Sequence, residues 1–153
     1  MYLFDTDVLS HLAKQRRSER LMERLAETPQ AAQFTSAVNT AEIYYGLRRM
    51  EGREGTRTRT IGRDGEGAQT NRAEILRGFF EEQVFPQLTI LPFDEECAPI
   101  YGRIKAALER KGQPRYEPDL QIAAIALRHG LTVVTGNVRH FYGVPGLTVE
   151  NWF

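Results

Sequence analysis

The sequence predicts an α/β domain in which helices cover both faces of a central, mainly parallel sheet of about five strands. Short apolar runs alternate along the chain with longer stretches of helical character, a pattern typical of βαβ units. One of these stretches, LQIAAIALRHG, is apolar on most of its faces, which predicts a helix packed against the sheet. A chain of 153 residues is long enough to bury a true core, so we expect a single domain over 1–153.

The predicted elements follow one another in a regular order. Strands are expected in the segments YLF, AAQFTSAV, LTILPF, GLTVVT and GLTVEN. Helices are expected near 8–27, with a break around 15–18, and near 39–51, 70–84, 95–111 and 118–129. Asn39 with Glu42 resembles a capping box, Pro118 suits a first helical turn, and Gly130 is placed for a left-handed helix C-cap.

The segment from 51 to 71 interrupts this pattern. It contains five glycines and many charged residues and threonines, with almost no apolar residue. Such a composition buries too little surface to order itself. We therefore predict a flexible surface loop at 52–69.

Composition excludes several classes of protein. A single cysteine, Cys97, rules out an intramolecular disulfide, and no run approaches the roughly 18 apolar residues of a membrane span. The formal net charge is zero, so a polyanion would be held by a local surface or through a metal. Two basic clusters, within 14–20 and 48–63, are interpreted mainly as solvated surface. These features predict a soluble cytoplasmic protein without a membrane partner.

Three acids far apart in the sequence are predicted to meet at one edge of the sheet. Asp5 follows the first strand, Glu42 lies in the first turn of the second predicted helix, and Asp119 lies in the first turn of the last one. Ligands of open parallel sheets bind outside the carboxyl ends of the strands. Three hard oxygen donors there suit Mg²⁺ or Mn²⁺, and such an ion supports hydrolysis of a phosphate ester.

Each acid also has a structural explanation. Asp5 or Asp7 could cap a helix beginning at Val8, and the cap is the better interpretation of Asp7. Glu42 could close a capping box, and Asp119 could interact with the dipole of its helix. The metal interpretation is strengthened by the three acids occurring together.

With these residues identified, the chain resembles PIN-domain proteins, and most closely the VapC-type ribonuclease toxins of bacterial toxin–antitoxin systems. The segments that carry the resemblance, in this order, are YLFDTDVLSHL, AEIYYGLRR, ILPFDEECAPIYGRIKAALERKG and EPDLQIAAIALRHGLTVVTGNVRHFYGVPGLTVENW. The resemblance implies a PIN-like three-layer α/β/α sandwich. It also implies a Mg²⁺- or Mn²⁺-dependent endoribonuclease, usually a homodimer, that is inhibited by a cognate VapB-type antitoxin.

The resemblance also implies roles for individual residues. Asp5, Glu42 and Asp119 match the metal-binding and catalytic acids of the family. Residues expected to support the site or to contact phosphate are Thr6, Thr135, Asn137 and His140. In many relatives the position of His140 holds a further acid, so a fourth carboxylate ligand is missing from the pattern.

Two other functions remain open at this point. A phosphatase of the haloacid dehalogenase kind would use Asp5 as nucleophile and Asp7 as general acid, although no paired acidic motif follows a later strand. A catalytically impaired PIN fold would bind RNA or protein without turnover. For RNA recognition, Tyr44, Tyr45 and Phe141 are candidates for base stacking, although aromatic residues on such helices are more often part of the core.

Overall fold

The central sheet of the computed structural model has five parallel strands. The structure describes residues 1–58 and 72–153. The strands are β1 (Tyr2–Phe4), β2 (Gln33–Ser36), β3 (Thr89–Leu91), β4 (Thr132–Val134) and β5 (Val149–Glu150). Their order across the sheet is β3-β2-β1-β4-β5, and every neighbouring pair is parallel. The predicted α/β/α fold with a parallel sheet is confirmed.

Most of the helices overlap the intervals where the sequence predicts them. Their bounds are α1 (Thr6–Leu12), α2 (Glu19–Glu27), α3 (Ala37–Thr58), α4 (Arg72–Phe79), α5 (Cys97–Arg110), α6 (Glu117–His129) and α7 (Val138–Phe141). A π-helical turn, Phe80–Val84, continues α4. Pro118 lies in the first turn of α6, and Gly130 ends this helix with φ of 62°, so both signals are confirmed. The short helix α7 is not predicted by the sequence.

Helix α3 differs from its prediction at both ends. It begins at Ala37 rather than Asn39 and continues to Thr58 rather than ending near 51. Residues 52–58 are therefore helical, contrary to the predicted loop. The composition of the segment therefore did not exclude a helix. The rest of the predicted loop, 59–69, lies outside the described residues.

Two hydrophobic clusters cover the two faces of the sheet. Successive side chains of a strand point to opposite faces, and β1 and β4 follow this rule. Leu3 and Val133 pack with α5 and α6 in one cluster, whereas Phe4 and Val134 pack with α1, α2 and α3 in the other. The sheet is thus buried on both sides, as is typical of parallel sheets.

The strand order creates a switch point at β1. The chain moves from β1 to β2 and β3 on one side, and β4 and β5 lie on the other side. In such sheets the crevice at the switch point, outside the carboxyl ends of the strands, is where ligands bind. Within the described residues, no helix is both long and apolar enough to cross a membrane.

Candidate active site

Asp5 lies directly after β1 and forms the N-cap of α1. Only 7% of the residue is exposed. Its Oδ1 accepts hydrogen bonds from the Thr6 backbone N–H at 2.8 Å and from Asn39 Nδ2 at 3.0 Å, and its Oδ2 accepts one from Thr135 Oγ1 at 2.9 Å. Residues of α1, α3 and the end of β4 therefore hold this carboxylate in one orientation.

The environment of Asp5 favours the protonated form of its carboxyl group. Burial is the main cause, and together with the negative charge of Asp7 it raises the pKa of Asp5 from 3.8 to about 6. Hydrogen bonds from Thr6 and Thr135 act in the opposite direction, and Asp119 adds a smaller upward contribution. Like charges thus gather around Asp5, a situation that a cation would relieve.

The interpretation of Asp7 as a helix cap is wrong. The helix begins at Thr6, so Asp7 lies within its first turn, and Asp5 is the cap. Asp7 Oδ2 instead accepts hydrogen bonds from the Gly136 N–H at 2.7 Å and from Thr135 Oγ1 at 3.3 Å. Its Oδ1 is buried without a hydrogen-bond partner in the described part of the chain. Asp7 therefore ties α1 to the turn that follows β4.

The capping box of α3 lies one turn earlier than predicted. The Asn39 N–H donates to Ser36 Oγ at 3.1 Å, and Asn39 Oδ1 accepts from the Ser36 N–H at 3.2 Å, which is the reciprocal pattern of such a box. Asn39 is fully buried, and its Nδ2 donates to both Asp5 Oδ1 and Thr6 Oγ1 at 3.0 Å. Asn39 is a site residue that the sequence reasoning assigned only to capping.

This shift of the helix start releases Glu42 from a capping role. Glu42 lies in the second turn of α3, and Thr6 Oγ1 donates to Glu42 Oε2 in a short contact. Thr6 therefore connects the two acids, because its N–H binds Asp5 and its hydroxyl binds Glu42. Asn39 and Glu42 are three residues apart and lie on the same side of the helix. This spacing in the sequence could have identified Asn39 as a site residue.

Asp119 approaches the site from the first turn of α6. Its side chain is 12% exposed, and its Oδ2 lies 3.3 Å from His140 Nδ1 on α7. Burial is the main cause that raises the pKa of Asp119; the charge of Glu42 raises it further, whereas His140 lowers it. Asp119 therefore interacts electrostatically with both Glu42 and Asp5, and His140 stands at the rim with about half of its side chain exposed.

The turn after β4 completes the cluster. Thr135 is fully buried, and its Oγ1, besides donating to the acids, accepts a hydrogen bond from the Asn137 N–H at 2.9 Å. Asn137 is exposed, and its recorded contacts with the cluster are made by its backbone. A Cβ on Gly136 would lie 2.9 Å from Asp7 Oδ2, so this close approach requires glycine.

The three aromatic candidates for base stacking differ in exposure and in contacts. Phe141 is 2% exposed and belongs to the core, so the interpretation of such aromatic residues as core is confirmed for Phe141. Tyr44 donates a hydrogen bond to Glu81 at 3.0 Å. Tyr45 is 65% exposed and is available for contact with a ligand.

The structure thus brings Asp5, Glu42 and Asp119 to the edge that the topology predicts. In the residues that the structure describes, no three His, Cys, Asp or Glu side chains have the mutual geometry of a metal site. The chemistry of the cluster nevertheless suits a hard cation, since all the predicted ligands are carboxylate oxygens and two of the three acids have raised pKa values.

Known proteins match this chain over nearly its whole length. The PIN domain family model matches residues 2–147. Ribonuclease VapC2 of Haemophilus influenzae is 31% identical over 151 residues, which cover 99% of this chain and 97% of that protein. The tRNA(fMet)-specific endonuclease VapC of Salmonella typhimurium is 38% identical over 78 residues, 51% of this chain and 55% of that protein. The crystal structure of FitAcB from Neisseria gonorrhoeae matches with a TM-score of 0.79 at 27% identity, over 99% of this chain and 97% of that one. Because both the family model and a full-length relative cover nearly all of the sequence, the chain belongs to the PIN-domain family.

Proposed function

We propose that this protein is a metal-dependent endoribonuclease, the toxin of a toxin–antitoxin pair, that hydrolyses RNA phosphodiester bonds. The observation that carries the proposal is the meeting of Asp5, Glu42 and Asp119 at the switch point of the sheet, with Thr6 bonded to two of them. The two relatives named above, a ribonuclease and a tRNA-specific endonuclease, support the same reaction.

Asp5, Glu42 and Asp119 would hold Mg²⁺ or Mn²⁺. Two features of the site support a cation: the pKa values of Asp5 and Asp119 are raised by burial and neighbouring acids, and the buried Asp7 Oδ1 lacks a hydrogen-bond partner in the described chain. When bound, such an ion supplies a water of lowered pKa and neutralises charge on a phosphoryl group. Without it, three carboxylates would repel an RNA phosphate.

The other residues position the acids. Thr135 and Asn39 fix the Asp5 carboxylate by donating to its two oxygens, and the Thr6 hydroxyl orients Glu42. The N-terminal N–H groups of α6 would favour a phosphate oxygen near Asp119. His140 is placed at the rim, where it can contact a phosphate and where the pattern of many relatives has an acid.

The proposed partners follow from the family. A cognate VapB-type antitoxin would cover the acidic site, where a basic side chain can replace the charge of the metal. We also propose a homodimer and a cytoplasmic location. Transfer RNA is the first substrate to test, because one relative is named for tRNA(fMet).

The test is RNA cleavage by the purified protein without antitoxin, using total RNA and a tRNA pool, with Mg²⁺, Mn²⁺ or a chelator. We expect cleavage with either metal, none with chelator, and a loss of at least about a hundredfold in Asp5→Asn, since even residues behind metal ligands contribute 10- to 100-fold. Glu82→Gln, the same type of change at an exposed residue, should cleave normally. RNA binding without cleavage under every metal would contradict the proposal and favour a binding module.

A further inference from the structure

An open groove of about 880 Å³ runs beside the candidate active site. Thr6 and Glu42 line this groove and also belong to the acidic cluster. The groove is therefore continuous with the place where the proposed chemistry occurs, and a molecule seated in it would extend from the acids.

Three aromatic side chains surround the groove, and we call it the aromatic groove. They are Tyr45 on α3, Phe93 after β3 and Tyr116 just before α6. Tyr45 is 65% exposed and Tyr116 is 64% exposed, whereas Phe93 is half-buried and packs edge-on against Tyr101. The small apolar residues Ala41 and Pro92 also line the groove. Two large, exposed rings and apolar side chains therefore adjoin Glu42, an acid of the candidate site.

Positive charge lies beside Tyr45 and near Asp119. The Arg49 guanidinium is 5.6 Å from the centre of the Tyr45 ring. Arg115, whose guanidinium donates to the carbonyl oxygens of Gln113 and Tyr142, acts through its positive charge on Asp119 and lowers the pKa of that carboxyl group. One ring of the groove and one acid of the neighbouring site thus each have a cation nearby, which suits a polyanion.

We propose that the aromatic groove is a base-stacking subsite for single-stranded RNA, in which Tyr45 and Tyr116 stack on nucleobases next to the scissile phosphate. This inference rests on the proposed nuclease function and adds which side chains would bind the nucleobases. Proteins that bind single strands combine aromatic platforms for the bases with a positive path for the backbone. A purely apolar partner would leave Glu42, which lines the groove, and Arg49, which lies over the Tyr45 ring, without a match, so the combination of groups favours nucleic acid.

The test measures RNA binding separately from cleavage. In an Asp5→Asn background with Mg²⁺ present, a fluorescent single-stranded RNA of mixed sequence and the same RNA with abasic nucleotides are titrated by fluorescence anisotropy. The variants are Tyr45→Ala and Tyr116→Ala, with Tyr45→Phe and Tyr116→Phe retaining the rings. Tyr142→Ala is the matched control, because Tyr142 is 70% exposed and does not line the groove.

Each alanine variant should bind the intact RNA about tenfold more weakly, while the phenylalanine variants and the control stay within about twofold of the parent. The abasic RNA should bind weakly and should be insensitive to loss of the rings. RNA affinity that is unchanged in both alanine variants overturns the inference. The inference is also overturned if these variants dissociate a dimer in sedimentation while their RNA affinity is unchanged. The groove would then be covered by a second copy of the chain.

A parallel cleavage assay with Asp5 intact separates the two proposals. If the parent cleaves RNA and the alanine variants bind and cleave as it does, only the stacking subsite fails. If the parent cleaves no RNA but its binding still depends on both rings, the nuclease function fails and the subsite remains.

Discussion

Asp5 and Asp119 are both buried acids at the same edge of the sheet, yet the protein supports them differently. Both oxygens of Asp5 accept hydrogen bonds, from Thr6, Asn39 and Thr135. The recorded partner of Asp119 is a half-exposed histidine at 3.3 Å. The Asp5 side is therefore fixed before any ligand binds, whereas the Asp119 side can adjust at the rim of an open groove. Changes on the Asp5 side should affect stability and activity together, and changes on the Asp119 side should affect activity with little effect on stability.

The largest effect on stability is expected at Asp5 itself, in protein freed of metal. Because its folded pKa of about 6 exceeds the ordinary value of 3.8, the native state binds a proton more tightly than the unfolded state does. The free energy of unfolding of the metal-free protein should therefore decrease by up to about 3 kcal/mol as the pH rises from about 4 to about 6. Above that range it should remain constant. Urea unfolding at a series of pH values with chelator measures this decrease.

Asp5→Asn removes the charge of Asp5 and so tests whether this charge causes the decrease in stability. At neutral pH we expect the variant to be more stable than the parent by about 1–3 kcal/mol, although it loses cleavage, as is common when an active site is relieved of electrostatic strain. Its stability should also change less between pH 4 and 6. The matched change Glu82→Gln, at an exposed acid, should retain the parent profile. An identical pH profile in Asp5→Asn would show that the like charges do not destabilise the fold.

Asn39→Ala should have the next largest effect, because Asn39 joins the start of α3 to Asp5. The change removes an acceptor from Ser36 and a donor from both Asp5 and Thr6. Loss of buried hydrogen bonds of this kind costs about 1–3 kcal/mol, and loss of a residue that positions a metal ligand reduces activity about 10- to 100-fold. Thermal or urea unfolding and the cleavage rate measure the two effects.

The control for Asn39→Ala is its neighbour in the same helix turn. The Thr40 hydroxyl donates to the Ala37 carbonyl and lies outside the cluster, so Thr40→Ala should retain cleavage. Full activity in Asn39→Ala would mean that the Asp5 side does not need to be fixed in advance, and the contrast between the two sides would lose its functional meaning.

The sequence predicted the sheet and most helices because the periodicity of apolar residues depends on burial alone. The starts of the helices were harder. Ser36 and Asn39 are both acceptable caps, and the choice between them depends on whether the Asn39 amide is needed elsewhere, as it is by Asp5 and Thr6. Asp5 and Asp7 are likewise both acceptable caps for α1. Asp5 is the cap because the helix begins as soon as β1 ends. Local preference does not decide such cases.

Contacts between residues distant in the sequence explain the features of the site that the sequence did not predict. Topology alone predicted that Asp5, Glu42 and Asp119 would reach one edge, because each follows a strand or begins a helix there. The bond from Thr135 to Asp5 spans 130 residues, and the role of Asp7 at Gly136 depends on how two turns approach each other. The sequence could indicate which residues meet, but their hydrogen-bond partners are set by packing.

The smallest effect on stability is expected from His140→Ala. Its side chain is 47% exposed and contacts Asp119 at 3.3 Å, so water screens this contact on the side of the histidine and can replace it. Unfolding free energy should therefore stay within about 0.5 kcal/mol of the parent. Cleavage should fall less than about tenfold if His140 only adjusts Asp119, which is weaker than the effect of a residue that holds a metal ligand in place. His140→Asp should tighten Mg²⁺ binding in calorimetry by adding a carboxylate beside Asp119. A loss of cleavage in His140→Ala as large as in Asp5→Asn, at unchanged stability, would show that the rim takes part in the reaction and that the adjustable side of the site is the more demanding one.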